Sequence, residues 1–96
     1  MEIVSFAHRG LRRLVERDDP TGVDPRMLER IRNILFLLQE AVEPASLAHF
    51  PNLRIHQLTG NRKGTWSVTV WSNWRITFEY DALSREVTSL NLEDYH

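Results

Sequence analysis

The side chains able to do chemistry gather in the last third of the sequence. His56, Arg62, Lys63 and Arg75 lie along it, and the run Asp94-Tyr95-His96 closes it. An imidazole has the intrinsic pKa to take or give a proton near neutrality. Guanidinium and ammonium groups stabilise charge that builds on phosphoryl oxygens, and an aromatic ring beside them can stack an unpaired base. Together these are the parts of metal-free RNA cleavage. A 2′-hydroxyl attacks the adjacent phosphorus, a base takes its proton, an acid protonates the leaving 5′ oxygen, and a cation holds the charge between them. No pair of these residues has a recognisable metal-ligand spacing. No glycine-rich loop precedes a helix, so Gly60-Asn61-Arg62-Lys63-Gly64 reads as a tight turn presenting Arg62 and Lys63, not as a nucleotide-binding loop. Neither a metal nor an organic cofactor is expected. Taken singly, each residue has a plainer role: His56 on a sheet surface, Arg75 paired with Glu79, Trp66 and Trp74 in the core.

The charge distribution points the same way. The chain of 96 residues has a net charge of −1, but its charges are unevenly placed. Residues 54–80 hold Arg54, Arg62, Lys63 and Arg75 against Glu79 alone, whereas residues 81–96 hold Arg85 against Asp81, Glu86, Glu93 and Asp94. The middle block is thus a local cationic patch, which is what a phosphate senses. Eleven of the twelve basic residues are arginine, the side chain suited to bidentate phosphate contact. There is no cysteine, which removes disulfides, thiolate metal sites and cysteine nucleophiles. No apolar run is long enough for a membrane span, and the start Met1-Glu2-Ile3-Val4-Ser5-Phe6 does not read as a signal peptide. One domain over residues 1–96, in the cytoplasm, is expected.

The positioning elements follow from periodicity. Ile3 to Phe6 reads as a short strand, and a helix over about residues 7–17, capped by Ser5 or a neighbour, buries Leu11, Leu14 and Val15. Arg9, Arg12, Arg13 and Arg17 form its solvated face. Asp24-Pro25 is a helix start, an acidic cap followed by a proline that needs no N–H, and the helix should run to about Val42. Phe36 and Leu37 widen its apolar face beyond what one sheet needs, which suits a docking partner. Strands are expected at about 53–58, 65–71, 74–80 and 86–92. The order predicts an α+β fold, two helices on one face of a mainly antiparallel sheet of four or five strands.

Register decides which side chains share the other face. A two-residue loop at Ser72-Asn73 pairs Trp71 with Trp74 and mixes the apolar and polar patterns. A three-residue loop, Trp71-Ser72-Asn73, pairs Val70 with Trp74, Val68 with Ile76 and Trp66 with Phe78, with Asn73 left-handed. The second is expected. It leaves Ser67, Thr69, Arg75, Thr77 and Glu79 on the open face, with Arg54 and His56 pointing the same way and Trp71 exposed at the tip. Val87 and Leu90 disagree in parity unless a bulge lies between them.

The stretch from Leu58-Thr59-Gly60 through Trp66 to Val70, the segment Asn73-Trp74-Arg75-Ile76-Thr77-Phe78 and the ending Glu93-Asp94-Tyr95-His96 resemble the HigB toxins of the RelE/ParE superfamily. Thr59 departs from relatives that place a lysine there. The resemblance implies a ribosome-dependent endoribonuclease acting on mRNA. Arg62, Lys63, Arg54 and Trp71 would bind RNA, by their charge or exposure, and the resemblance makes Arg75, His96, Tyr95, His56 and Asp94 catalytic. It also implies neutralisation by a helix-turn-helix, HigA-like antitoxin, through which alone the chain would reach operator DNA. Two alternatives stay open: a ParE-like gyrase inhibitor, or an antitoxin-binding co-repressor without activity.

Overall fold

The computed structural model describes residues 1–95. The chain forms β1 (Glu2–Ile3), α1 (Arg9–Arg17), α2 (Leu28–Glu40), β2 (His56–Gln57), β3 (Thr65–Trp71), β4 (Trp74–Asp81) and β5 (Glu86–Asp94), with four short 3-10 turns between them. The sheet order is β1-β5-β4-β3-β2. Only β1 pairs in parallel, with β5; the other neighbours are antiparallel. The expected α+β class and the two helices on one face are what the structure shows.

Both helices bury the stripe that their periodicity sets. Leu11 and Leu14 from α1, and Ile31, Ile34, Leu35 and Leu38 from α2, pack with Val68, Val70, Ile76, Phe78, Leu90 and Leu92 of the sheet. Burying each such side chain contributes about 1.5–3 kcal/mol. His8, not Ser5, caps α1, its Nδ1 accepting the Leu11 N–H at 3.1 Å. Gly10 lies so close to Gly22 that a Cβ would stand 2.1 Å from the Gly22 carbonyl oxygen. Asp24 does not cap α2 directly. Its carboxylate receives the Arg26 N–H at 2.9 Å, forming a turn, and the helix begins at Leu28. The Met1 ammonium donates to the carbonyls of Leu38, Gln39 and Ala41 at 3.3, 2.8 and 2.6 Å, so it closes the end of α2. Phe36 is exposed, as its place outside the buried stripe implies.

The hairpin register agrees with expectation along its body and differs at its tip. Trp66 pairs with Phe78 and Val68 with Ile76, but Trp71 pairs with Trp74 across a two-residue loop. A register shift at Val70 reconciles the two. Ser72, not Asn73, takes the left-handed conformation, at φ 53°. Arg30 of α2 accommodates the irregularity by donating to the Val70 carbonyl at 3.2 Å. Burial of alternate side chains fixes the body, and the bulge absorbs the extra residue. A second shift on β5, with Ser89 at φ 54°, resolves the parity of Val87 and Leu90, both fully buried. The expected strand at 53–58 contracts to His56–Gln57, because Pro51–Leu53 forms a 3-10 turn that Arg54 ends at φ 49°. Arg54 therefore lies off the sheet, and strand alternation does not set its direction.

Candidate functional site

The face opposite the helices carries two adjacent rows of side chains. Pairing places His56, Ser67, Thr77 and Asn91 in one row, and Thr69, Arg75 and Glu93 in the next. Strands lie about 4.8 Å apart and residues of one face about 6.8 Å apart along a strand, so the His56 and Arg75 Cα atoms are roughly 12 Å apart. At the hairpin tip Trp74 pairs with Asp94, and the Tyr95 N–H donates to the Asn73 carbonyl at 2.8 Å. The tail is thereby tied beside Arg75, whose Nη1 donates to the Ser72 and Trp74 carbonyls at 2.7 and 3.1 Å. Arg75 makes these contacts instead of the alternative pair with Glu79. His96 lies outside the described residues.

His56 is exposed on the edge strand, and its Nδ1 stands 2.9 Å from the Arg54 carbonyl. A carbonyl only accepts, so Nδ1 carries a proton in this contact and Nε2 is the ring nitrogen that Arg54 leaves unengaged. Lys63 is exposed at the end of the 60–62 turn. Trp71 is exposed as expected, but the Arg26 guanidinium covers its ring with its carbon 5.4 Å from the centroid. Among the described residues no cluster of three or more His, Cys, Asp or Glu could hold a metal.

Ser67 and Thr77 are buried, so the face is not open throughout. Over Thr77 lie Glu93 and, from the 58–64 loop, Arg62. Gly60 and Gly64 take positive φ, 70° and 97°, which turns the loop back towards the sheet. Arg62 reaches Glu93 with both guanidinium nitrogens, Nη1 to Oε1 at 2.9 Å and Nη2 to Oε2 at 2.7 Å. The Thr77 hydroxyl donates to the same carboxylate. The Arg62 hydrogen bonds first, with further help from Thr77 and Asn91, hold the Glu93 carboxyl below the usual range against the opposing effect of burial. Glu93 in turn raises the Arg62 pKa, and the Tyr95 phenol lies within its electrostatic reach. Beside the pair is a hollow of about 320 Å³ lined by Asn61, Thr65, Thr77, Glu79, Ser89 and Asn91 among others.

Glu93 was missed as a site residue on sequence, although it stands in the quoted ending. The signal was available: alternation from the buried Leu92 puts Glu93 on the face of Arg75. Its partner, 31 residues away, leaves no local pattern.

Residues 4–96 match the family model described as the RelE-like toxin of the type II toxin–antitoxin system HigB. The chain is 39% identical over 94 residues to the Endoribonuclease HigB of Proteus vulgaris, covering 98% of this chain and 99% of that one. Its fold is similar to YafQ from E. coli strain BL21(DE3), with a TM-score of 0.62 at 12% identity, covering 97% and 91% of the two chains. It is also similar to the toxin–antitoxin complex RelBE2 of Mycobacterium tuberculosis, with a TM-score of 0.55 at 18% identity, covering 99% and 96%.

Proposed function

The chain belongs to the HigB-like family of RelE-like toxins, and from that premise we propose that it is an endoribonuclease cutting mRNA in the decoding site of the ribosome. The observation that carries the reading is the strand pairing that ties Asp94 and Tyr95 to the hairpin tip bearing Arg75. The same pairing sets Arg75 and Glu93 side by side on one sheet face, with His56 two strands away, while Asp94, opposite Trp74, falls on the alternate face.

The chemistry assigned to this arrangement needs no resident cofactor. The 2′-oxygen attacks the adjacent phosphorus, the bond to the 5′ oxygen breaks, and the products are a 2′,3′-cyclic phosphate and a 5′-hydroxyl. The N–H groups of Arg75 not used on the Ser72 and Trp74 carbonyls stabilise the charge on the nonbridging oxygens. His56 is assigned as the base, acting through Nε2, the ring nitrogen not engaged with the Arg54 carbonyl. We assign the acid's part to His96 or to Asp94, and to Tyr95 the orientation of the base or phosphate. Arg54, Arg62, Lys63 and Trp71 hold the RNA strand, Trp71 by exchanging the Arg26 guanidinium for a nucleobase.

A toxin of this type has an antitoxin. We assign that role to a HigA-like helix-turn-helix protein that neutralises the chain and carries it to operator DNA in the cytoplasm. No helix among the described residues is long and apolar enough to cross a membrane. Inducing the chain alone in bacteria and mapping RNA 5′ ends tests the reading. Cuts phased with the reading frame on translated messages are expected. Intact messages with stalled replication would instead mark a gyrase inhibitor, and unaffected growth a co-repressor.

A further inference from the structure

Glu93 is surrounded as a bound anion would be. The Arg62 fork meets both of its oxygens. The Thr77 hydroxyl donates from beneath, from a side chain that is 2% exposed, and Asn91 adds a side-chain hydrogen bond. A carboxylate and a phosphodiester present similar oxygen pairs to a guanidinium, so donors arranged for one suit the other. We propose that Arg62, Thr77 and Asn91 form an anion cradle which Glu93 fills in the free chain and which a backbone phosphate of single-stranded RNA takes over.

The inference deepens the nuclease reading and rests on it for the identity of the RNA. Two further observations support the exchange. Glu93 is the cross-strand partner of Arg75, so a phosphate in the cradle is a neighbour of the one at Arg75 along the strand. Gly60 and Gly64, which flank Arg62, face open space where a Cβ would stand and take positive φ, so two conformationally permissive residues bracket the arm that carries the guanidinium. A tethered carboxylate competes at high effective concentration, so a free phosphate ion does not displace it. An RNA strand already held at Arg75 and Lys63 competes on equal terms.

Emptying the cradle tests this without any nuclease assay. Glu93→Ala, in the full chain, should show a Tm that rises by about 4 °C or more with inorganic phosphate, beyond a chloride control of equal ionic strength. Wild type should not rise, and neither should Arg62→Ala/Glu93→Ala. No phosphate effect in a folded Glu93→Ala, or an equal effect in the double variant, overturns the proposal. Should Glu93→Ala fail to fold, Glu93→Gln, which keeps the shape, is read through binding of 2′-O-methylated, uncleavable RNA. Relieved of the competing carboxylate, Arg62 should take the phosphate more readily, so Glu93→Gln should bind the RNA more tightly than wild type and lose that gain when Arg62→Ala is added. Equal affinities of wild type and Glu93→Gln overturn the cradle. Phosphate binding in a chain that cuts no RNA would sink the nuclease reading and leave the cradle standing. Ordinary cutting with neither effect would sink the cradle alone.

Discussion

At the scale of single residues, the assignments divide into groups that act and groups that hold them. Arg75→Ala should lower cleavage of ribosome-bound mRNA by about 10²–10³-fold in single-turnover assays, with an unchanged circular dichroism spectrum. A loss within twofold would remove Arg75 from the chemistry. Glu93 sets a pH dependence instead. Its folded pKa lies below the ordinary value of 4.5, chiefly through Arg62, so the stabilisation is complete above that value and is lost as pH falls through the lowered one. Urea midpoints of wild type should therefore fall in acid more steeply than those of Glu93→Gln. Arg75, His56 and the tail were legible in the sequence as candidates, because they are of reactive types. The Arg62–Glu93 pair was not. Its members looked like a free cation and a bystander, and only tertiary pairing brings the loop over the strand.

The elements were readable where burial dictates alternation, as at Trp66 with Phe78 and Val68 with Ile76. They were not where a backbone irregularity depends on a distant donor. The hairpin tip turns on Arg30 reaching the Val70 carbonyl, and no period-two pattern contains that information. The start of α2 slipped for a related reason, since Asp24 spends its carboxylate on a local turn before the helix begins. Two predictions belong to α1. Gly10→Ala drives a methyl into the Gly22 carbonyl and should cost about 1–3 kcal/mol, read as a lowered urea midpoint. His8 caps the helix through an unprotonated Nδ1, and burial lowers its pKa below 6.5. The unfolded chain then binds the proton more readily, so stability should decline as pH drops below about 6.5 and level off once the folded ring is also protonated. His8→Asn, which can cap without titrating there, should remove that decline.

As a whole the molecule is nearly neutral, and the middle block, residues 54–80, is where positive charge exceeds negative. Four phosphate contacts at a slope of about 0.7 each give weak, salt-sensitive binding to naked RNA. Purified chain should therefore cut a message at least about 100-fold faster with ribosomes present than without, and equal rates would argue that the ribosome contributes nothing. Both ends of the fold are in use: the Met1 ammonium closes α2, and Tyr95 is tied to the hairpin tip. They sit near opposite ends of β5, whose nine residues span about 27 Å. The turn from Asp81 to Arg85 joins β4 to β5 at the end remote from Arg75, and Leu83 at its apex is 98% exposed. An affinity epitope grafted there, in place of Ala82-Leu83-Ser84, would let the chain be captured on a resin with both of its anchored ends undisturbed.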